Sequence, residues 1–281
     1  MIVFIIPLKS KQVSKDWDRV CTLLERCVQS VVNQTSEYFR VVIACHERPN
    51  LQIDHPFIHY VEVDFPPPVL RQVNVISQMD RDKNQKMWLG LEYAGRFNPS
   101  HVMFVDADDC VSCRIAEFVS QNTEANGWFL DSGYVYEDGS DRIYPKKGKF
   151  YLMSGTSHIV KHSVMQDETL SSIYIDSGEP LHQLVVDLLA KKNSPLTPLP
   201  FAGAVYIIQT GENINADQSS DRSGRDDMFS LFKNFVLHYP RQIRALLSSQ
   251  RLSEQTINEF SLFTSNLKVQ NYLTKQTMLC D

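Results

Sequence analysis

The chain contains no apolar run approaching the ~20 residues that a membrane span requires. It has no excess of positive charge: 28 lysines and arginines stand against 33 aspartates and glutamates, a net charge of −5. A general nucleic-acid grip is therefore not expected, although a local basic patch could still hold phosphate. Cysteine is sparse and scattered, six residues in 281. Cys110 and Cys113 form a single C-x-x-C with no second pair at zinc-finger spacing, so neither a disulfide framework nor a zinc site is indicated. Reduced thiols in a cytoplasmic protein are the expectation. Met1 to Pro7 has no basic leader and no small-residue cleavage site, so it reads as a buried first strand rather than a signal peptide. Repeats and low-complexity tracts are also missing. With 43% apolar and 22% charged residues, the composition is that of a globular protein and excludes collagen, disorder and coiled coil. The length suits one large domain or two small ones with a sizeable core. Oligomeric state is left open.

What is present is a pattern of buried runs alternating with helical periodicity. Residues 2–6 are continuously apolar and β-branched, as in a strand covered on both faces. Trp17, Val20, Cys21, Leu24, Cys27, Val28 and Val31 recur at helical spacing, which predicts a helix over 14–33. Strands are expected at 40–45 and 58–63, a helix from Asp80 to Gly95, and a fourth strand at 101–105. The order β-α-β-β-α-β calls for an open, mostly parallel α/β sheet flanked by helices. Ligands in such sheets bind beyond the carboxyl ends of the strands. Pro7 to Ser10, Cys45 to Arg48 and Asp106 to Asp109 all fall there. Later, a hairpin is expected around Asp138-Gly139, strands at 157–160 and 204–208, a short helix over 181–190, and a polar loop over 215–227 that would serve as a lid. Beyond it the chain reads as helical to its end, with breaks at Pro240 and near Leu252-Ser253.

Asp106-Ala107-Asp108-Asp109 is the most informative stretch. Two carboxylates two residues apart leave a strand end on one side. They repel each other, and burying them unpaired is costly. A hard divalent cation removes that penalty, and Mg²⁺ or Mn²⁺ takes one or two carboxylates together with phosphate oxygens and water. The pattern predicts a metal–diphosphate site. The bland alternative is a solvated acidic turn capping a helix near Ser112; the buried strand ahead of it tips the balance toward a ligand.

Taken in order, Phe4-Ile-Ile-Pro7, Leu24 to Thr35 with Ser30-Val31 and Asn33-Gln34-Thr35, Arg40 to Ala44, and Phe104-Val-Asp-Ala-Asp-Asp109 resemble a family 2 type glycosyltransferase of the GT-A fold. The resemblance covers about the first 115 residues. It implies a Rossmann-like mixed, mostly parallel sheet and transfer of a sugar, with inversion, from a nucleotide-diphosphate donor to a glycan or glycoconjugate. The implied organisation is a GT-A domain over 1–225, with a donor half (1–115) and an acceptor half (116–225), followed by a helical extension over 226–281. Asp106 matches the aspartate that faces the donor, Asp108 the one that ligates Mn²⁺ or Mg²⁺ with Asp106 beside it, and Asp109 a helix-start or supporting position. Pro7 and Lys9 fall on the donor rim.

The sequence also departs from the family. Where relatives carry an aspartate pair after the second strand, Cys45-His46-Glu47 stands. Glu47 would accept from a base N–H and His46 would stack on the ring, or His46 is simply a loop histidine. Lys83, ahead of Lys86, matches a lysine that serves as a point charge on the diphosphate; the alternative is a solvated helix face. For the catalytic base, a carboxylate just before the 181–190 helix is wanted. Glu179 is the first choice and Asp176 the reserve, against the plain reading of helix-start electrostatics. The histidine that relatives place after the last core strand is missing from Ile207 to Asn213. Peripheral membrane contact stays open. Rival readings are a non-catalytic nucleotide-sugar-binding module and a D-x-D phosphatase, whose motif belongs on the first strand. A nucleotidyltransferase is disfavoured because Pro7-Leu-Lys-Ser10 lacks glycine.

Overall fold

The computed structural model describes residues 1–69, 75–167, 182, 184–212 and 249–262. Strand β1 (Ile2–Pro7) is buried along its whole length. Helix α1 (Trp17–Val32) starts where Asp16 accepts the Arg19 N–H at 3.0 Å, an N-cap that satisfies one of the orphan donors of the first turn. Its stripe of Val20, Leu24, Cys27, Val28 and Val31 packs on the sheet in one cluster with Phe4, Ile6, Val41 and Ile43. Each such side chain contributes ~1.5–3 kcal/mol of apolar burial. Strands β2 (Phe39–Cys45) and β3 (Ile58–Glu62) follow. Helix α2 (Val75–Ala94) covers the opposite face through Met87, Leu91 and Ala94 against Val3, Ile5 and Val42. Gly90 permits that approach, since a Cβ there would sit 2.4 Å from Ile5 Cγ2.

Strand β4 (His101–Phe104) completes the parallel core. After it come β5 (Cys110–Val111), α3 (Ile115–Gln121), β6 (Gly127–Phe129), β7 (Ser132–Glu137), β8 (Arg142–Lys147), β9 (His158–Lys161), α4 (His162–Met165), α5 (Val185–Lys191), β10 (Thr197–Pro198), β11 (Ala204–Ile208), β12 (Gln250–Arg251) and α6 (Glu254–Phe260). One sheet runs β10-β6-β9-β4-β1-β2-β3 and the other β12-β8-β7-β11-β5. In the first, β3, β2, β1 and β4 are parallel, and β9 joins β4 antiparallel. The sheet is thus mixed and mostly parallel, flanked by α1 and α2 on opposite faces.

The expected β-α-β-β-α-β order and the Asp138-Gly139 hairpin are present. Three details differ. Helix α2 begins at Val75 rather than Asp80. The helix after the aspartates starts at Ile115, not near Ser112, because Cys110-Val111 first pairs with Ala204-Val205 of β11. Just ahead of the break expected near Leu252-Ser253, Gln250-Arg251 is not helical but a short strand paired to Ile143 and Arg142 of β8; a sheet edge captured it. The lid over 215–227 and most of the helical extension lie outside the described residues.

Candidate active site

The carboxyl ends of β1, β2 and β4 lie side by side, as the register Pro7↔Ala44 and Ile5↔Phe104 requires. The segment 106–109 is where the chain leaves the first sheet and enters the second through β5. Beside it opens a cavity of about 480 Å³, lined among others by Pro7, Lys9, Asp82, Lys83, Asp106 and Asp108.

The three aspartates have different surroundings. Asp106 receives Lys83 Nζ on Oδ1 at 2.5 Å, while its backbone N–H donates to Thr156 Oγ1 at 2.9 Å. Gly155 lies against this pair: a Cβ there would stand 2.7 Å from Asp106 Oδ2 and 2.9 Å from Lys83 Nζ. Asp108 is pushed up to about 6, by burial first and then by Asp106. Asp109 is fully buried. Its Oδ2 accepts from Ser154 Oγ at 2.8 Å and its Oδ1 from the Ile207 N–H at 3.1 Å. Burial, then Asp108 and Asp106, raise its pKa well above the carboxylate range. It joins the 106–109 turn to β11 and to the 154–157 loop. Burial works against the Lys83 ammonium, yet Asp106, Asp108 and Asp109 together hold its pKa above the ordinary value.

Of the remaining anticipated residues, Pro7 and Lys9 line the cavity, whereas His46 and Glu47, which follow β2, are not among its lining residues. Lys9 Nζ donates to Glu212 Oε2 at 2.7 Å and to its carbonyl at 2.9 Å. Glu47 accepts from Ser10 Oγ at 2.9 Å and from the Lys11 N–H at 3.1 Å, tying the β1 and β2 ends together. His46 Nε2 lies 2.9 Å from the Phe65 carbonyl, and its ring stands edge-on to Phe65. Lys86, behind Lys83, is buried and donates to Asp82 Oδ2 at 2.7 Å and to the Leu8 carbonyl at 2.8 Å. Glu179 and Asp176 lie outside the described residues.

Among the cavity residues that the sequence reading did not single out are Tyr206, His158 and His182. The Tyr206 phenol is pushed up to about 12 by burial, then by Asp109, Asp108 and Asp106. Burial and Lys83 lower the His182 imidazole. Their only sequence signal is a polar-tipped ring inside an otherwise apolar run, as in Ala204-Val-Tyr-Ile-Ile208. The thiols of Cys21, Cys27, Cys45, Cys110 and Cys113 are free. Among the described residues no group of three or more His, Cys, Asp or Glu side chains is gathered for a metal. The donor set at Asp106 and Asp108 is nonetheless hard oxygen, and burial makes the Asp108 charge unfavourable. That suits an ion bound through one or two carboxylates and completed by substrate phosphates. No helix among the described residues is long and apolar enough to cross a membrane.

No family model matches the chain, and no curated protein matches it. Among solved structures it is similar to S. aureus TarS 1-349, at 12% identity and a TM-score of 0.44, over 87% of this chain and 78% of that one. It is similar to the same protein in complex with UDP-GlcNAc, at 13% identity and a TM-score of 0.40, over 76% and 60% of the two chains. It is also similar to the Francisella tularensis 2-C-methyl-D-erythritol 4-phosphate cytidylyltransferase, at 11% identity and a TM-score of 0.40, over 78% and 97%.

Proposed function

We propose that this chain is a metal-dependent inverting glycosyltransferase, moving a sugar from a nucleotide-diphosphate donor to a glycan or glycoconjugate in the cytoplasm. The observation that carries the reading is the Asp106–Asp108 pair at the end of a buried parallel strand, set beside a cavity that also presents Lys83 and Lys9. Anions and cations alternate there as a magnesium or manganese diphosphate would need.

Asp108, with Asp106, would hold Mn²⁺ or Mg²⁺, which supplies charge neutralisation at the departing diphosphate. Lys83 reaches the same region as a mobile point charge: its Asp106 contact can be exchanged for a phosphate oxygen while Asp106 turns to the donor. Lys9 lines the same cavity, anchored on Glu212. Pro7, His46 and Glu47 are assigned to the donor-binding rim, where Glu47 fixes the Ser10 turn. Glu179, or in its place Asp176, takes the proton of the acceptor hydroxyl. The acceptor oxygen bonds to the anomeric carbon as the carbon–diphosphate bond breaks, and the configuration inverts.

A second reading, a non-catalytic nucleotide-sugar-binding module, is favoured by the Lys83–Asp106 ion pair, which neutralises Asp106 without a metal. Release of nucleoside diphosphate from a panel of nucleotide sugars with Mn²⁺ and mixed glycan acceptors separates the two. Release lost in Asp108→Ala supports the transferase. Tight donor binding without release under any acceptor supports the module.

A further inference from the structure

His158 opens strand β9, whose antiparallel register sets Ile159 beside Met103 and Val160 beside Val102. The next rung places His158 across from Phe104. Residues directly opposite in a sheet face the same side, so His158 and Phe104 share a side, and Asp106 follows two residues after Phe104. The same segment touches the aspartate directly, because Thr156 Oγ1 holds the Asp106 N–H. His158, Phe104 and Val160 all line the cavity.

The histidine itself is 8% exposed. Its Nδ1 lies 3.0 Å from Ser157 Oγ. Its Nε2 is buried and has no hydrogen-bond partner among the described residues, an unusual state for a polar atom in a folded protein. Burial depresses the imidazole to about 3, which favours the neutral ring near pH 7. A neutral imidazole offers one N–H and one lone pair. With Nδ1 set against Ser157, Nε2 is left with a single hydrogen-bonding role. Such a group suits a hydroxyl, which gives or takes equally well. The phosphates have the lysine beside Asp106 as their partner. Val102, Val160 and Met165 line the same cavity and give it an apolar wall, suited to the C–H face of a sugar ring.

We infer that His158 Nε2 hydrogen-bonds one hydroxyl of the transferred sugar and so helps to set which sugar the protein accepts. The inference rests on the donor reading given above. It adds a contact to the sugar rather than to the nucleotide or the metal.

The test is calorimetric titration, with saturating Mn²⁺, of UDP, GDP, UDP-glucose, UDP-N-acetylglucosamine and GDP-mannose into the wild type, His158→Phe and His158→Gln. The wild type is expected to bind one nucleotide sugar more tightly than its nucleoside diphosphate. His158→Phe is expected to bind that diphosphate within twofold of wild type and to lose about tenfold on the nucleotide sugar, the effect of one neutral hydrogen bond. His158→Gln should recover part of the loss. The inference is overturned if His158→Phe binds the sugar donor as tightly as the wild type. It is also overturned if sugar donor and diphosphate lose equally, or if no sugar adds affinity in the wild type. Absence of any diphosphate binding to the wild type would instead remove the donor reading itself. Should His158→Phe fail to fold, the ¹⁵N resonance of His158 Nε2 in the wild type decides. It should shift with the nucleotide sugar and not with the diphosphate, and an equal response to both contradicts the inference.

Discussion

Asp108 and Asp109 are neighbours in the chain and should respond in opposite ways to substitution. Asp109→Ala leaves the Ser154 hydroxyl and the Ile207 N–H, which the carboxylate accepts at 2.8 and 3.1 Å, without an acceptor in the core. A buried polar group left unsatisfied costs ~1–3 kcal/mol, so the variant should lose ~2–5 kcal/mol. That is a large share of the ~5–15 kcal/mol that holds a protein folded. Asp109→Asn keeps an oxygen for Ile207 but turns a donor toward the Ser154 hydroxyl, so it should lose less than Asp109→Ala, ~1–2 kcal/mol. Asp108 carries the reverse balance. Its carboxyl sits at about 6 in the folded protein against 3.8 ordinarily. At pH 7 it is ionised in both states, and the ionised form is worse off in the fold. At ~1.4 kcal/mol per tenfold change, and discounting for partial exposure, Asp108→Asn should stabilise the metal-free protein by ~1–3 kcal/mol. Urea denaturation at pH 7 with EDTA, followed by far-UV circular dichroism, measures all three. An Asp109→Ala midpoint close to wild type, or an Asp108→Asn variant as unstable as Asp109→Ala, would refute the reasoning.

Gly155→Ala would push a methyl against the Lys83–Asp106 pair. Those contacts are the ends of side chains that can move aside, so the melting temperature should change little while nucleotide-diphosphate affinity falls about tenfold or more, an effect of ~1.4 kcal/mol readable by titration. His101 is fully buried and pushed down to about 4 by that burial. As pH drops from 6.5 toward 4 the unfolded chain gains a proton that the folded chain refuses, so stability falls by ~3 kcal/mol over that window. His101→Gln, which can still donate to the Ala125 carbonyl, should flatten a denaturation-versus-pH profile there, and an unchanged slope would contradict the assignment. Asp138 bridges Arg19 and Arg26, the latter at 2.6 Å, fastening α1 to the β7–β8 turn. Asp138→Ala leaves the buried Arg26 without its counter-charge and should cost ~3 kcal/mol in chemical denaturation, whereas Arg19→Ala alone should cost less.

Much of this arrangement was legible from residue order. The parallel core follows from runs such as Ile2 to Ile6 and from the helical spacing of Val20, Leu24, Cys27 and Val31, because local periodicity reports which faces are buried. The aspartates stood out for the same reason: charges directly after an apolar strand fall at its end. What could not be read are pairings between distant residues. Nothing near Asp109 reveals that its partner is Ile207, and nothing near Lys9 points to Glu212, more than two hundred positions away. The short β12 strand likewise depends on an edge of β8 that forms elsewhere in the chain. His158 reads as an ordinary strand residue until the β4 register places it across from Phe104, in the lining of the cavity.

The claim that Asp108 and Asp106 serve a metal-bound nucleotide diphosphate is tested most directly by a thermal-shift screen. Wild-type protein and Asp108→Ala are each melted with UDP-sugars and GDP-sugars, with and without Mn²⁺. A ligand at a hundred times its dissociation constant stabilises by ~2.7 kcal/mol, a rise of roughly 5–10 °C for a domain of this size. The account predicts that rise for at least one donor, only with Mn²⁺ and only with Asp108 in place. No shift for any donor, or a shift that survives both Asp108→Ala and removal of Mn²⁺, would contradict it.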